Sequence, residues 1–155
     1  MTRTAARELA VLICASMSPE ETADETLERF FEPEHYASLA GEGEQFAEYP
    51  NKKQLAYIRE VVLGVSAHRG ELDGYIEQYA HGWRPERLSR AAAAILRCAM
   101  CEMKYLPLTG VRDPNAAAIN EAVELAKKYE GDEVPGFVNG VLGGFVRGEF
   151  PEAAE

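Results

Sequence analysis

Residues 113–146 read DPNAAAINEAVELAKKYEGDEVPGFVNGVLGGFV, and this stretch decides the fold. Asp113-Pro114 is a helix start, an Asp N-cap followed by a proline at the first helical position. Ile119, Ala122, Val123, Ala126 and Tyr129 then fall on one face at helical spacing, and Gly131 closes the helix. Pro135 starts a second helix, whose inner face is Phe137, Val138, Val141, Leu142, Phe145 and Val146. Its glycines, Gly140, Gly143 and Gly144, each cost about 1 kcal/mol of helix propensity, so they imply close backbone packing. Asn120 and Asn139 sit among apolar neighbours. At least partial burial is expected for both, with their amides hydrogen-bonded so that the two helices are pinned together; direct contact of Asn139 with a ligand is the alternative.

Upstream the same period continues, and no stretch alternates like a half-buried strand. Ala6, Leu9, Ala10, Ile13 and Met17 give a first helix with an apolar stripe, and its other face shows Arg3 and Arg7 one turn apart. Ser18-Pro19-Glu20-Glu21 predicts a second helix running to about Phe31, with a loop over residues 40–50. Leu55, Ile58, Val62, Val65, Leu72, Ile76 and Tyr79 form the longest pattern, interrupted near residue 70 by Gly70 and Gly74. Arg84-Pro85 opens a helix that turns Leu88, Ala92, Ile95, Ala99 and Met103 inward. The run Ala91 to Ala94 keeps its surface thin, so a neighbouring helix or a second copy can approach. The fold class is all-α, about seven helices, in one domain over residues 1–150 with a short tail at 151–155.

The chain has 155 residues, 46% of them hydrophobic and 27% charged, the balance of a globular protein. No window approaches 18 consecutive apolar residues, which excludes a membrane-spanning helix, and no export signal is read at the N-terminus. Three cysteines do not make a disulfide framework, so a reduced, cytoplasmic protein is expected. Net charge is −10, and nearly all of it sits between Pro19 and Pro50, where ten acids face only Arg29. The remainder is close to neutral and leaves room for a local basic face. Cys98-x-x-Cys101 falls in mid-helix, and His35, His68 and His81 have no ligand spacing, so core packing is favoured over a metal or redox centre. Neither a P-loop nor a GxGxxG fingerprint is present, and no cofactor is expected.

AINEAVELAK (118–127) and FVNGVL (137–142) together resemble the signature of the NusB transcription antitermination family. Leu72-Asp73-Gly74, Trp83, Arg87-Leu88, Ile95-Leu96-Arg97 and Glu102 follow that family's order, and Arg3 with Ala5-Ala6-Arg7-Glu8 looks like its N-terminal basic helix. The resemblance implies two stacked three-helix subdomains and no catalysis. It implies binding of the boxA element of ribosomal RNA transcripts together with NusE, a small-subunit ribosomal protein, and action on the transcription elongation complex. Carried over position by position, it assigns RNA contact to Arg3, Arg7, Lys127 and Phe137, and contact with NusE to Tyr79 and Glu86. Members occur as monomers and as dimers, so a homodimer is admitted. The same fold occurs as the N-terminal domain of ribosomal RNA methyltransferases. Because the sequence ends at Glu155, the free-standing factor is expected here.

Departures from the family pattern set the expected mechanism. Only two arginines stand in the N-terminal basic segment, Gly136 precedes Phe137 where a lysine is common, and Ala92-Ala93 replace an acidic–basic pair. Arg3, Arg7, Lys127 and Lys128 offer at most about four phosphate contacts, a salt slope no steeper than roughly −3 for a single strand. Asp132 and Glu133 beside Phe137 oppose phosphate. The expectation is weak RNA binding alone, with NusE supplying the missing contacts; the alternative is a protein-interaction module of the same fold with lost RNA affinity.

Overall fold

A computed structural model describes residues 1–81 and 87–154. Among them are α1 (Arg3–Ser16), α2 (Ala23–Phe30), α3 (Pro33–Ser38), α4 (Lys52–Ala67), α5 (Arg69–Tyr79), α6 (Arg90–Tyr105), α7 (Pro114–Tyr129), α8 (Val134–Glu149) and α9 (Pro151–Ala154). Two short 3-10 turns lie between α3 and α4, and no strand occurs among the described residues. No helix among them is long and apolar enough to cross a membrane.

α6 is the central helix. Its residues from Ala92 to Met103 are all buried, and it packs against α1, α4, α5, α7 and α8. One layer is α1, α2 and α4; the other is α6, α7 and α8, with α5 lying against α6 and α8. Leu9, Ile13, Ile58, Leu72, Ile76, Ile95, Leu96, Met100, Leu142 and Phe145 form the fully enclosed part of a single core. The alanine run, expected to admit a neighbour, does so within the chain. Ala92, Ala93 and Ala94 are buried, so they present no face to a second copy.

The helix starts show which local signals act. Asp113 accepts a hydrogen bond from the Ala116 amide and Pro114 takes the first helical position, as the sequence predicts. The Ser18-Pro19 signal does not start α2. Thr22 does, through a reciprocal capping box with Glu25, which satisfies two amide donors where Ser18 satisfies only the Glu20 amide. The long pattern from Leu55 breaks at His68, which ends α4 and stacks on Tyr105 with ring centroids 3.9 Å apart. The predicted start at Arg84-Pro85 lies outside the described residues, and α6 begins after an N-cap at Ser89.

Residues 40–50 are more than a loop. Tyr36, Phe46 and Pro50 are buried, and Phe30, Phe31, Tyr36, Phe46 and Tyr49 pack ring against ring. Several acids of this segment have structural work. Glu25 and Glu32 cap helices, Glu21 binds Arg29 through two hydrogen bonds, and Glu48 holds the terminal ammonium at 2.9 Å. That ammonium keeps the Glu48 carboxyl below its ordinary pKa.

In α8, Tyr79 explains part of the glycine pattern. Its ring lies against Gly144 and Gly148, where a Cβ at Gly144 would meet it at 3.5 Å and one at Gly148 would collide with it. At Gly140 a Cβ would meet nothing, so close packing is not the reason for that glycine.

Candidate nucleic-acid interface

Arg3 and Arg7 are one turn apart on α1, yet their surroundings differ completely. Arg7 is 8% exposed and belongs to the interior. Its Nε donates to both Glu102 oxygens, at 3.1 and 3.0 Å, and its Nη2 donates to Oε1 at 2.9 Å. The Tyr57 hydroxyl also donates to Glu102, at 3.3 Å, and Glu121 lies 3.5 Å from Arg7 Nη1. The guanidinium thus joins α1 to α6 and α7, and Tyr57 ties α4 to the same carboxylate. Burial works against its charge, but the Glu102 bonds and charge outweigh this and hold its pKa above the ordinary arginine value. Burial, and then the Glu102 charge, push the Tyr57 phenol up. The expectation that Arg3 and Arg7 share the outer face of α1 as contacts for RNA is therefore corrected at Arg7: Glu102, a buried carboxylate of α6, needs a cation, and Arg7 supplies it.

Arg3 is exposed. Its guanidinium carbon sits 3.6 Å from the centroid of the Tyr57 ring, a cation–π contact, and it has no ion pair among the described residues. Tyr57 thus serves both arginines, its face toward Arg3 and its hydroxyl toward Glu102.

Lys127 and Lys128 reach the same part of the molecule from the end of α7. They line a groove with Thr4, Glu8, Glu121 and Glu124. Thr4 donates to Glu121 at 2.8 Å. Lys128 meets the buried carboxylate of Glu8 at 2.7 Å, and the Tyr129 hydroxyl donates to the same carboxylate. Lys127 pairs with Glu124 at 3.0 Å, an exposed contact of little energetic weight. The groove therefore has two ammonium groups and three carboxylates.

Phe137 is half-buried one turn into α8 and packs against the core. Only the short link after Tyr129 separates α7 from α8, so Lys127 and Phe137 lie at the same end of that helix pair. Asn120 and Asn139 overturn the expectation of burial. Both are exposed, and neither side chain has a hydrogen-bond partner among the described residues. The apolar periodicity misleads because each sits between inward positions on the outer arc of its own helix.

Tyr79 ends α5, half-buried. Its hydroxyl donates to Glu149, which raises its pKa to about 12. Glu86 and Trp83 lie outside the described residues. Cys98 and Cys101 are buried in α6, with Cys98 Sγ 3.7 Å from Cys14 Sγ. The hydrogen bond with Cys14 and burial hold the Cys98 thiol well above its ordinary pKa, and burial pushes Cys101 up to about 12, so both pack as neutral groups.

Neither Tyr57 nor Glu121 carries a local sequence signal that marks it as part of this cluster. Glu102 held the available signal: a lone carboxylate among inward-facing residues requires polar partners somewhere in the chain.

An all-helical body of two three-helix layers around one buried central helix defines a class of small all-α proteins. The sequence matches the NusB family over residues 4–147, and the chain belongs to that family. A relative from Carboxydothermus hydrogenoformans, named transcription antitermination protein NusB, is 39% identical over 145 residues, 92% of this chain and 91% of that one. Its namesake from Thermoanaerobacter pseudethanolicus is 43% identical over 103 residues, 66% of this chain and 70% of that one. Among solved structures, a chain in the crystal structure of a plectonemic RNA supercoil superposes with a TM-score of 0.65 at 26% identity, covering 95% of each chain. The solution structure of NusB from Aquifex aeolicus has the same fold, with a TM-score of 0.62 at 24% identity over 99% of this chain and 95% of that one.

Proposed function

We propose that this chain is a transcription antitermination factor that binds boxA-type RNA of ribosomal transcripts together with NusE, in the cytoplasm, and acts on the elongating polymerase without catalysing a reaction. The observation that carries this reading is Arg3: an exposed guanidinium 3.6 Å from the Tyr57 ring centroid, with no carboxylate partner among the described residues, in a chain of the NusB family. A guanidinium fixed on a ring is a pre-ordered partner for a phosphate or an unstacked base. Lys127 adds a cation, and Phe137 and the exposed Asn139 add an aromatic and an amide on α8.

Arg7 has a supporting role in this reading, orienting Tyr57 through Glu102. That leaves Arg3, Lys127 and Lys128 as phosphate contacts, a salt slope near −2 for a single strand. Both lysines must leave a carboxylate to serve, which favours weak binding by this chain alone and strengthening by NusE. Tyr79 and Glu86 are the proposed NusE contacts. With the alanine face of α6 used internally, the reading is of a single copy paired with NusE rather than a homodimer.

A titration of labelled boxA RNA, with and without NusE, tests this. NusE should tighten binding, and Arg3→Ala should weaken it about fivefold to tenfold while the fold and NusE binding persist. Equal RNA affinity for Arg3→Ala and the unaltered protein would overturn the assignment, and retained NusE binding without RNA binding would favour the interaction-module reading.

A further inference from the structure

At the opposite end of α1 the arginine distribution is unlike anywhere else among the described residues. Arg69 from α5, with Arg90 and Arg97 from α6, lines one concave pocket of about 310 Å³ together with Cys14, Ser18 and Glu21. A smaller pocket of about 100 Å³ adjoins it and shares Arg69 and Arg97. Two of the three guanidiniums are held in place by one carboxylate. Asp73 Oδ1 accepts from Arg97 Nε at 2.7 Å, and Oδ2 accepts from Arg69 Nε at 3.3 Å. Both contacts use Nε, so the terminal nitrogens of Arg69 and Arg97 have no protein acceptor among the described residues. Arg97 is the telling case. Its side chain is 11% exposed, so its unsatisfied donors meet solvent through these pockets. Arg90 has no ion pair among the described residues.

Charge accounting gives the ligand class. Asp73 neutralises one of the three arginines, and Glu21 at the rim is already matched by two bonds from Arg29. About two positive charges remain, concentrated in a cleft of a protein with net charge −10. A cleft focuses that potential, and guanidinium terminal nitrogens fit the paired oxygens of a phosphate group. The volume is at the lower end of the range for small-ligand sites, about 300–1,000 Å³. We propose that the Arg69–Arg90–Arg97 pocket is a binding site for a phosphate group, with Asp73 holding the buried Arg97 and the exposed Arg69. The site is separate from the interface around Arg3, about 18 Å away along α1, and does not depend on that assignment.

The test is a titration of the full chain with inorganic phosphate, with chloride replaced to hold ionic strength constant, followed by nuclear magnetic resonance. Saturable shifts are expected at the side-chain Nε groups of Arg69 and Arg97 and at the amides of Ser18 and Arg90. Arg90→Gln, at an exposed position that leaves the fold intact, should weaken phosphate about tenfold, the effect of removing one charge-assisted hydrogen bond. Lys52→Gln makes the same change of charge at the start of α4, two residues before Gln54, which bonds Met1 at the other end of α1, and should leave phosphate affinity unaltered. The absence of saturable shifts, or the same affinity in Arg90→Gln, would overturn the site. A parallel titration with single-stranded RNA identifies the source. If Arg90→Gln weakens RNA as well as phosphate, the group is a strand phosphate; if it weakens phosphate alone, the group is a free phosphate or phosphomonoester.

Discussion

The two ends of α1 use arginine in opposite ways. At the start, cations are matched almost one to one: Arg7 with Glu102, Lys128 with Glu8, Lys127 with Glu124, and only Arg3 rests on a ring instead of a carboxylate. At the end, Arg69 and Arg97 share the single carboxylate of Asp73, and Arg90 has none among the described residues. Matched charges hold helices together, whereas surplus charge is available to something outside the chain. The difference teaches that the number of arginines on a face says little about binding until their carboxylates have been counted.

The largest effect is expected from removing Arg7. Arg7→Met leaves the Glu102 carboxylate buried without its cation and should cost about 3–5 kcal/mol in urea unfolding. The double variant Arg7→Met/Glu102→Leu removes both charges and should recover most of that loss, because a paired apolar replacement leaves no orphaned ion. A loss below 1 kcal/mol in the single variant would mean that Arg7 is as loosely held as Arg3.

How far the sequence carries this picture depends on the kind of signal. The all-helical class, the Asp113-Pro114 start and the break near residue 70 follow from spacing and capping, which are local. The Thr22 capping box was present in sequence too, but Ser18-Pro19 offered a competing start, and the outcome depended on which donors each cap satisfies. Arg7 is different in kind. Its neighbour in the structure, Glu102, is 95 residues away, and no local pattern distinguishes it from Arg3. Asn120 and Asn139 fail for the converse reason: apolar flanks in sequence are not neighbours on a helix surface, where positions three and four apart are. The arginine pocket draws on three segments, and its only trace in sequence is Arg97 within the buried stretch of α6.

At the other end of α1 the expected effect on folding is smaller. Arg97→Met removes one charged hydrogen bond, but Asp73 is 29% exposed and keeps Arg69, so no isolated buried ion is left behind. The cost should be about 1–2 kcal/mol, well below that of Arg7→Met under the same denaturant titration. A loss as large as that of Arg7 would show that Arg97 is structural and would remove the contrast between the two ends.

Arg90→Gln should have the least effect on stability, and for that reason it sharpens the comparison most. An exposed arginine with no acceptor among the described residues has no ion pair there to lose, and its charge repels those of Arg69 and Arg97 nearby. Removing it should leave the unfolding free energy within about 0.5 kcal/mol of the original, the usual range for a surface substitution. Any change should favour the variant at low salt, where repulsion is least screened, and should disappear as salt is raised. A loss of more than 1 kcal/mol without added phosphate would mean that Arg90 holds the fold together as Arg7 does. Stability unchanged without phosphate but lower than that of the original protein in its presence is the pattern a ligand-directed charge must give, because a ligand that binds only the folded chain stabilises it in proportion to its affinity.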